Sequence, residues 1–180
     1  RILSSAASDV YKRQIQHEPR RRTDIDAIFL AAFPREARQL RPQIDFYRAT
    51  GVPVYATSHV YSGQSNPNAD GDVNGIIFGD MPWVLRADSD SDGLREHIYT
   101  VWPHATGGFT RFYAFGADAY RLVHELGNQR ARPGSRFTGQ TGALSLEADQ
   151  TVRRELDWAI FDDGVPRPHT QQFASGWLYL

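Results

Sequence analysis

One acidic loop in the sequence begins with the spacing of a calcium site. Residues 88–93 read DSDSDG, which places carboxylates at loop positions one, three and five and glycine at position six. An EF-hand loop needs a bidentate glutamate at position twelve, where this chain has Tyr99, and Glu96 falls at position nine. Because the strongest ligand is missing, we interpret this segment as a solvated loop before a helix and predict no metal site there.

Ser58 and His59 have the side-chain types of a nucleophile and its base. Neighbouring side chains near the end of a strand point to opposite faces, so these two cannot form that pair. The nucleophile-elbow pattern Gly-x-Ser-x-Gly is absent from the sequence. His97 and His104 also lack the His-Glu-x-x-His spacing of a zinc site. The motifs therefore identify no catalytic residue, no metal ligand and no cofactor site.

The composition excludes several other classes of protein. The chain has 180 residues, 20 basic and 21 acidic side chains, and 41% hydrophobic residues, which suits one ordinary core. A charge balance this close to neutral argues against a nucleic-acid partner. The absence of cysteine rules out a disulfide framework and a thiol nucleophile in this sequence. The apolar run at 27–33 is about a third of the ~20 residues that a membrane helix needs.

The chain divides into three stretches by composition. Residues 1–14 contain the only lysine, Lys12, and resemble an adaptor or vector-derived leader, so they are excluded from the fold prediction. Residues 15–168 are expected to be the C-terminal part of a larger domain. The Pro- and Gln-bearing residues 169–180 are expected to form a loosely held tail.

Residues 26–57 predict a βαβ unit. The apolar run at 26–32 is typical of a strand covered on both faces, and residues 52–57 predict a second such strand. Between them, Pro34 opens a helical pattern of apolar residues that Gly51 ends. Pro42 is expected to kink or split this helix, because an interior proline removes one backbone hydrogen bond. The crossover should be right-handed.

The rest of the chain predicts an α/β fold with shorter elements. The residue before a proline avoids helical dihedrals, so residues 81–85 are expected to be extended. Bulky residues recur at helical spacing in 109–126 and are candidates for burial. The other predicted elements are a loop at 58–74, a strand at 75–79, a helix that ends at Trp102, and strands at 143–146, 151–156 and 158–161.

The candidate binding residues follow from the predicted sheet. In open α/β sheets, ligands and partners meet the loops at the carboxyl ends of the parallel strands. Those loops carry Phe33 after the first strand, and Ser58, His59 and Tyr61 after the second. Ordinary loop packing is the alternative explanation for these residues, since fold position shows where to look and not what binds.

The same segments resemble a known family. Residues 26–47 (DAIFLAAFPREARQLRPQIDFY) and 52–63 (VPVYATSHVYSG) are similar to the LppC/LpoA family of outer-membrane lipoproteins. The similarity continues in order through GDMPWVL, FGADAYRL, GQTGALSL and RRELDW, and so covers roughly residues 24–168. Phe33 departs from the smaller residue expected after the first strand, which would alter the wall of a cleft.

The resemblance implies a fold and a function. The implied fold is that of type I periplasmic binding proteins, here the C-terminal part of a two-lobed clamshell, with a hinge crossing near residues 60–75 and the terminal hairpin in the second lobe. Missing strands would leave apolar sheet edges exposed. The implied function is non-enzymatic activation of a class A penicillin-binding protein, from the periplasmic side of the outer membrane, through a lipidated N-terminus upstream of this sequence.

A second hypothesis comes from the same fold. A periplasmic solute-binding receptor would close its cleft on an amino acid or a peptide, and such a site needs a few convergent polar groups. Ser58, His59 and Tyr61 could supply some of them. The sequence alone leaves both hypotheses open.

Overall fold

The computed structural model describes residues 24–47, 51–86, 93–127 and 132–170. These residues form two units, which we call the sheet unit (24–80 and 157–170) and the helical unit (81–156). The predictions for residues 1–14, for the acidic loop up to residue 92 and for residues 171–180 lie outside the described residues. Within the described ranges, no helix is both long enough and apolar enough to cross a membrane.

The βαβ unit is present as predicted. Strand β1 (Ile28–Leu30) and strand β2 (Val54–Ala56) pair in parallel, with Ile28 opposite Val54. Between them helix α1 (Pro34–Phe46) begins with proline at its first position, where a backbone N–H is not needed. Pro42 lies inside α1 without splitting it, since the helix is continuous through residue 46.

Three strands extend this sheet beyond β2. Strand β3 (Ile76–Asp80) is present where the apolar run predicted a strand, and it pairs in parallel with β2. Strands β7 (Asp157–Asp162) and β8 (Val165–Pro168) then add antiparallel to β3, which gives the order β1-β2-β3-β7-β8. The sheet unit is therefore built from two stretches of chain that are separated by the helical unit.

The chain crosses between the units later than expected. Residues 58–74 stay in the sheet unit and hold 3₁₀ turns at 58–60 and 71–73 and a short helix α2 (Pro67–Asp70). Because β3 still pairs with β2, the crossing follows residue 80, and the expected hinge at 60–75 is wrong. The hairpin predicted at 143–156 lies in the helical unit, as expected, and the chain returns to the sheet unit at residue 157 with β7 and β8.

One face of the five-stranded sheet forms the main core. Phe78 and Phe161 stack at its centre with ring centroids 4.9 Å apart, and Ala37 of α1 covers them with no exposed surface. Each buried aliphatic or aromatic side chain of this kind stabilises the fold by ~1.5 to 3 kcal/mol. The buried members of the core are Leu30, Ala37, Val54, Ala56, Val60, Tyr61, Val73, Ile76, Phe78, Ala159 and Phe161.

The opposite face of this sheet is apolar and open. Phe29 of the edge strand β1 is 71% exposed, and Trp158 of β7 packs edge-on against Tyr55 of β2. Parallel sheets normally carry helices on both faces. Phe29 is therefore an exposed apolar side chain on the edge strand of this sheet.

The described residues of the helical unit form three α-helices, a 3₁₀ turn at 103–105 and a small antiparallel sheet. Helices α3 (Pro82–Leu85), α4 (Leu94–Val101) and α5 (Thr110–Gly127) enclose a second core around Trp83. The sheet consists of β4, β5 and β6 and includes the predicted hairpin between β5 and β6. Their bounds are Arg136–Thr138, Ala143–Leu146 and Val152–Glu155.

The prediction that residues 81–85 are extended is wrong. Met81 does have extended dihedrals, with φ −71° and ψ 141°, as expected for the residue before a proline. Pro82 then begins one turn of helix, because proline suits the first helical position. The preference for extended dihedrals before a proline therefore applies to Met81 alone and not to the residues that follow it.

Helix α5 buries a different face from the one that its bulky residues predict. Phe112, Tyr120 and Val123 are exposed, at 70%, 80% and 70%. The buried positions are Thr110, Ala114 and Asp118, which recur every four residues along one narrow stripe. The most deeply buried positions of α5 therefore form a stripe of small and polar residues, and Tyr113 beside it packs against the second core.

Candidate functional site

The structure brings two of the four candidate residues together. Phe33 lies immediately before α1, and His59 lies in the 3₁₀ turn that follows β2. Their rings meet edge to face, with centroids 5.5 Å apart and an interplanar angle of 90°. Both side chains are exposed, Phe33 at 64%. We call these two residues the aromatic pair, and it lies at the carboxyl edge of the parallel strands.

The other two candidates lie elsewhere in the same turn. Tyr61 is 7% exposed, and its ring packs 5.9 Å from both Phe78 and Phe161 in the core. Ser58 is half-buried. Because residues 58–60 form a 3₁₀ turn and not the end of a strand, the alternation assumed from sequence is lost and Val60 turns inward. Tyr61 therefore belongs to the core and not to an open surface.

The environment of Tyr61 keeps its hydroxyl neutral. Burial first, and then the carboxylates of Asp70 and Asp80, raise the pKa of Tyr61 from the usual 10.0 to about 12, against the opposing charge of Arg111. A phenol with so high a pKa does not ionise near neutral pH. It can only take part there as a neutral group.

This shifted pKa predicts a pH dependence of stability. The pKa is higher in the folded state than in the unfolded state, so the neutral phenol of Tyr61 stabilises the fold. This contribution to the free energy of unfolding is fully present below pH 10 and is lost as the pH rises from 10 towards 12. The total loss is about 2 to 3 kcal/mol. Urea unfolding of the wild type and of Tyr61→Phe at pH 9 and pH 11.5 measures it. The wild type should lose more stability than Tyr61→Phe, and equal losses would contradict this assignment.

A buried ion pair joins the two units beside the aromatic pair. Asp80, the last residue of β3, has a side chain that is 1% exposed, and Arg111 reaches it from the first turn of α5. The Arg111 Nε atom donates to Oδ1 of Asp80 at 3.0 Å, and Nη2 donates to Oδ2 at 2.5 Å. The same Nη2 donates to the backbone oxygens of Ser58 at 3.1 Å and Tyr61 at 2.9 Å.

The sequence did not predict this ion pair. The one local indication of it is Asp80, a carboxylate directly after the apolar run at 76–79. A buried charge at such a position needs a partner. Nothing in the sequence pattern points to Arg111, which is 31 positions away. The fold alone brings the two residues together.

A second buried carboxylate fastens α5 to the small sheet. Asp118 is 6% exposed and accepts hydrogen bonds from the backbone N–H of Gln140 at 2.7 Å and of Thr141 at 2.7 Å. It also accepts one from the Thr141 hydroxyl at 2.6 Å. Gly139 passes so close that an added Cβ would lie 2.5 Å from Oδ2 of Asp118. This carboxylate therefore sets the entry of the chain into β5.

Other surface features lie away from the aromatic pair. Open grooves of about 630 and 610 Å³ flank α5, and one of about 560 Å³ lies over β7 and β8. Phe33, Ser58, His59 and Tyr61 line none of these three grooves. In the part of the chain that the structure describes, no three histidine or acidic side chains are grouped to hold a metal ion. The arrangement at the aromatic pair suits contact with a partner surface.

Comparison with solved structures identifies the fold. The C-domain of LpoA (YraM) from Haemophilus influenzae, described as a regulator of PBP1A, superposes with a TM-score of 0.67 at 24% identity. The superposition covers 83% of this chain and 46% of that domain. A putative branched-chain amino acid ABC transporter from Chromobacterium violaceum superposes with a TM-score of 0.55 at 31% identity, over 76% of this chain and 42% of its own. The fold is α/β and like that of periplasmic binding proteins.

Comparison of sequences identifies the family. Proteins named penicillin-binding protein activator LpoA from Aliivibrio fischeri and Photobacterium profundum are 32% and 33% identical, over 82% and 84% of this chain. The chain spans about a quarter of the length of these relatives, 24% and 25%. The family model described as LppC putative lipoprotein matches residues 5–164. The chain therefore belongs to the LppC family of lipoproteins.

Proposed function

We propose that this chain is part of a non-enzymatic activator of a class A penicillin-binding protein, the enzyme class that polymerises and cross-links peptidoglycan. The observation that carries the proposal is the identity of 32% and 33% to proteins named penicillin-binding protein activator. The site agrees with this role, because Phe33 and His59 are exposed side chains that meet through their rings. The activator would act by binding, which needs a contact surface and no catalytic group.

The proposal includes a location. The family is described as one of lipoproteins. We infer that the protein works in the periplasm while a lipidated N-terminal segment, upstream of this sequence, tethers it to the outer membrane. In this proposal residues 15–168 are the C-terminal part of the binding-protein-like domain. Membrane attachment would then depend on the upstream segment and not on the domain described here.

The aromatic pair is the surface that we assign to the synthase. Aromatic side chains are frequent among the residues that carry most of the binding energy at protein interfaces. Phe33 is held at the first turn of α1, and His59 is held by a turn whose backbone oxygens are fixed. Side chains that are already in contact before binding lose less conformational entropy when a partner covers them.

Removing the aromatic pair should weaken binding of the synthase. The double variant Phe33→Ala/His59→Ala is expected to lower the affinity by about tenfold or more, which corresponds to ~1.4 kcal/mol for each factor of ten. Biolayer interferometry with the full-length gene product and its purified class A penicillin-binding protein measures this change. Circular dichroism should show that the double variant is folded.

Helix α1 provides a matched control at its other end. Phe46 and Tyr47 also meet edge to face with centroids 5.5 Å apart, and they are 79% and 65% exposed. The variant Phe46→Ala/Tyr47→Ala removes the same kind of surface and should leave the affinity unchanged. Equal losses from both double variants, or no loss from either, would contradict the assignment of the surface.

A solute-binding receptor is the second candidate function. The likeness to the putative branched-chain amino acid transporter, at 31% identity, favours this alternative. A cleft ligand present at a hundred times its dissociation constant stabilises a protein by ~2.7 kcal/mol. A thermal-shift screen of leucine, isoleucine, valine and cell-wall peptides tests it. A saturable rise in melting temperature with one of them would support the receptor.

A further inference from the structure

Arg111 joins parts of the fold that are far apart in sequence. It lies in the first turn of the helical unit's longest helix, and its guanidinium reaches into the sheet unit. There it contacts the end of β3 through Asp80 and the turn after β2 through the backbone oxygens of Ser58 and Tyr61. These two residues flank His59, so one side chain touches both the crossing point and the turn that carries the aromatic pair.

We propose that Arg111 is a positioning residue that fixes the orientation of the helical unit on the sheet unit and couples that orientation to the aromatic pair. A shift of α5 would move the guanidinium, and the guanidinium would pull the backbone of the 58–61 turn with it. His59 lies in that turn and contacts Phe33. The coupling stands on the structure alone, whereas its effect on the synthase rests on the proposed function.

The chemistry of the contact requires arginine. A guanidinium presents donors in a rigid planar fork, so it can hold both oxygens of a carboxylate and still donate to carbonyl groups, whereas a lysine ammonium acts as a point charge. Asp80 is buried and accepts a hydrogen bond from the N–H of Met81 at 2.8 Å, so it needs an opposite charge beside it. Lysine at position 111 would supply that charge but not the fork.

The second ion pair between the units is of a different kind. Arg86 and Asp157 meet at 2.8 Å where the chain returns to the sheet unit, but their side chains are 46% and 36% exposed. Exposed ion pairs contribute about 0 to 1 kcal/mol. The Asp80 carboxylate is 1% exposed, so the Arg111 contact is the one that solvent screens least. Val84 and Leu85 of α3 also pack against the main core, so the Arg111 contact adds a directed polar restraint to an apolar contact between the units.

The test measures the orientation directly. Spin labels are placed at Gln39→Cys on α1 and Ala148→Cys in the turn between β5 and β6, both exposed positions, in a full-length protein whose other free thiols have been replaced by serine. Pulsed electron–electron double resonance then gives the distribution of distances between the two labels, one in each unit, in the full-length protein. We expect one narrow distribution for the labelled wild type, and a broadened or displaced one after Arg111→Lys.

A matched variant controls for the loss of a buried arginine. Arg38 holds Asp70 through Nε at 3.0 Å and Nη2 at 2.7 Å, and both residues lie in the sheet unit. Arg38→Lys should leave the distance distribution unchanged. If Arg111→Lys does not fold, Asp80→Asn breaks the same contact from the other side and is expected to give the same displacement. Distributions for both variants that match the wild type would overturn the proposal.

A second measurement separates this inference from the proposed function. If the wild type binds the synthase, Arg111→Lys should weaken binding severalfold while a folded circular dichroism spectrum is retained, and unchanged binding would contradict the coupling to the aromatic pair. If the wild type does not bind the synthase, the proposed function fails. The distance measurement still decides whether Arg111 sets the orientation.

Discussion

Replacing Trp83 by alanine is expected to lower the free energy of unfolding by about 3 to 5 kcal/mol. The indole is 1% exposed and lies at the centre of the second core, packed with Ile98, Ala105 and Ala114. Its Nε1 atom donates to the hydroxyl of Thr110 at 3.1 Å. Alanine would leave a cavity and remove that donor, so the cost combines lost burial with a lost hydrogen bond.

Trp102 provides the control for this prediction. It belongs to the same unit and stacks on Tyr113 with centroids 6.3 Å apart, but it is 53% exposed. Trp102→Ala should therefore cost much less than Trp83→Ala in urea unfolding of the same protein. Losses of similar size for the two variants would show that Trp83 does not form the centre of a buried core.

Replacing Asp118 by alanine should have an effect of comparable size, about 3 to 5 kcal/mol. The change removes the acceptor for three hydrogen bonds, and it leaves the N–H of Thr141, a residue that is 1% exposed, without its partner. Each buried donor left unsatisfied costs ~1 to 3 kcal/mol. Urea unfolding measures the loss, and hydrogen exchange should show faster exchange at Gln140 and Thr141.

Asp149 makes the same kind of hydrogen bonds as Asp118, but on the surface. Its Oδ1 atom accepts hydrogen bonds from the N–H of Thr151 at 3.0 Å and from the Thr151 hydroxyl at 2.7 Å, and the residue is exposed. Asp149→Ala should leave stability nearly unchanged, because water replaces the lost acceptor. If it costs as much as Asp118→Ala, burial is not the cause of the larger effect.

The elements that the sequence predicted well are those with local signals. The βαβ unit from β1 to β2 depends on apolar runs, a proline at the start of α1 and a glycine after it, and all of these act within a few residues. The hairpin of β5 and β6 is equally local. Residues 81–85 failed because two proline rules compete there, and the helix-start preference of Pro82 outweighed the extended preference of Met81.

The features that the sequence did not predict depend on contacts between distant segments. Strand β7 returns to the first sheet, where Ile160 pairs with Ile77, and no local sequence pattern predicts that pairing. The same limit applies to Arg111 and Asp80. Phe33 and His59 could be named because the ends of parallel strands share one edge of a sheet. Tyr61 could not be separated from them, because the inward turn of residues 58–60 has no periodic signal.

The most direct test of the proposed function is the rate of peptidoglycan cross-linking by the purified class A penicillin-binding protein, with lipid-linked precursor as substrate, in the presence and absence of the full-length gene product. We predict that the protein raises this rate severalfold at a saturating concentration. We also predict that it forms no product from the precursor when the synthase is left out. An unchanged rate with a saturating amount of folded protein would contradict the account.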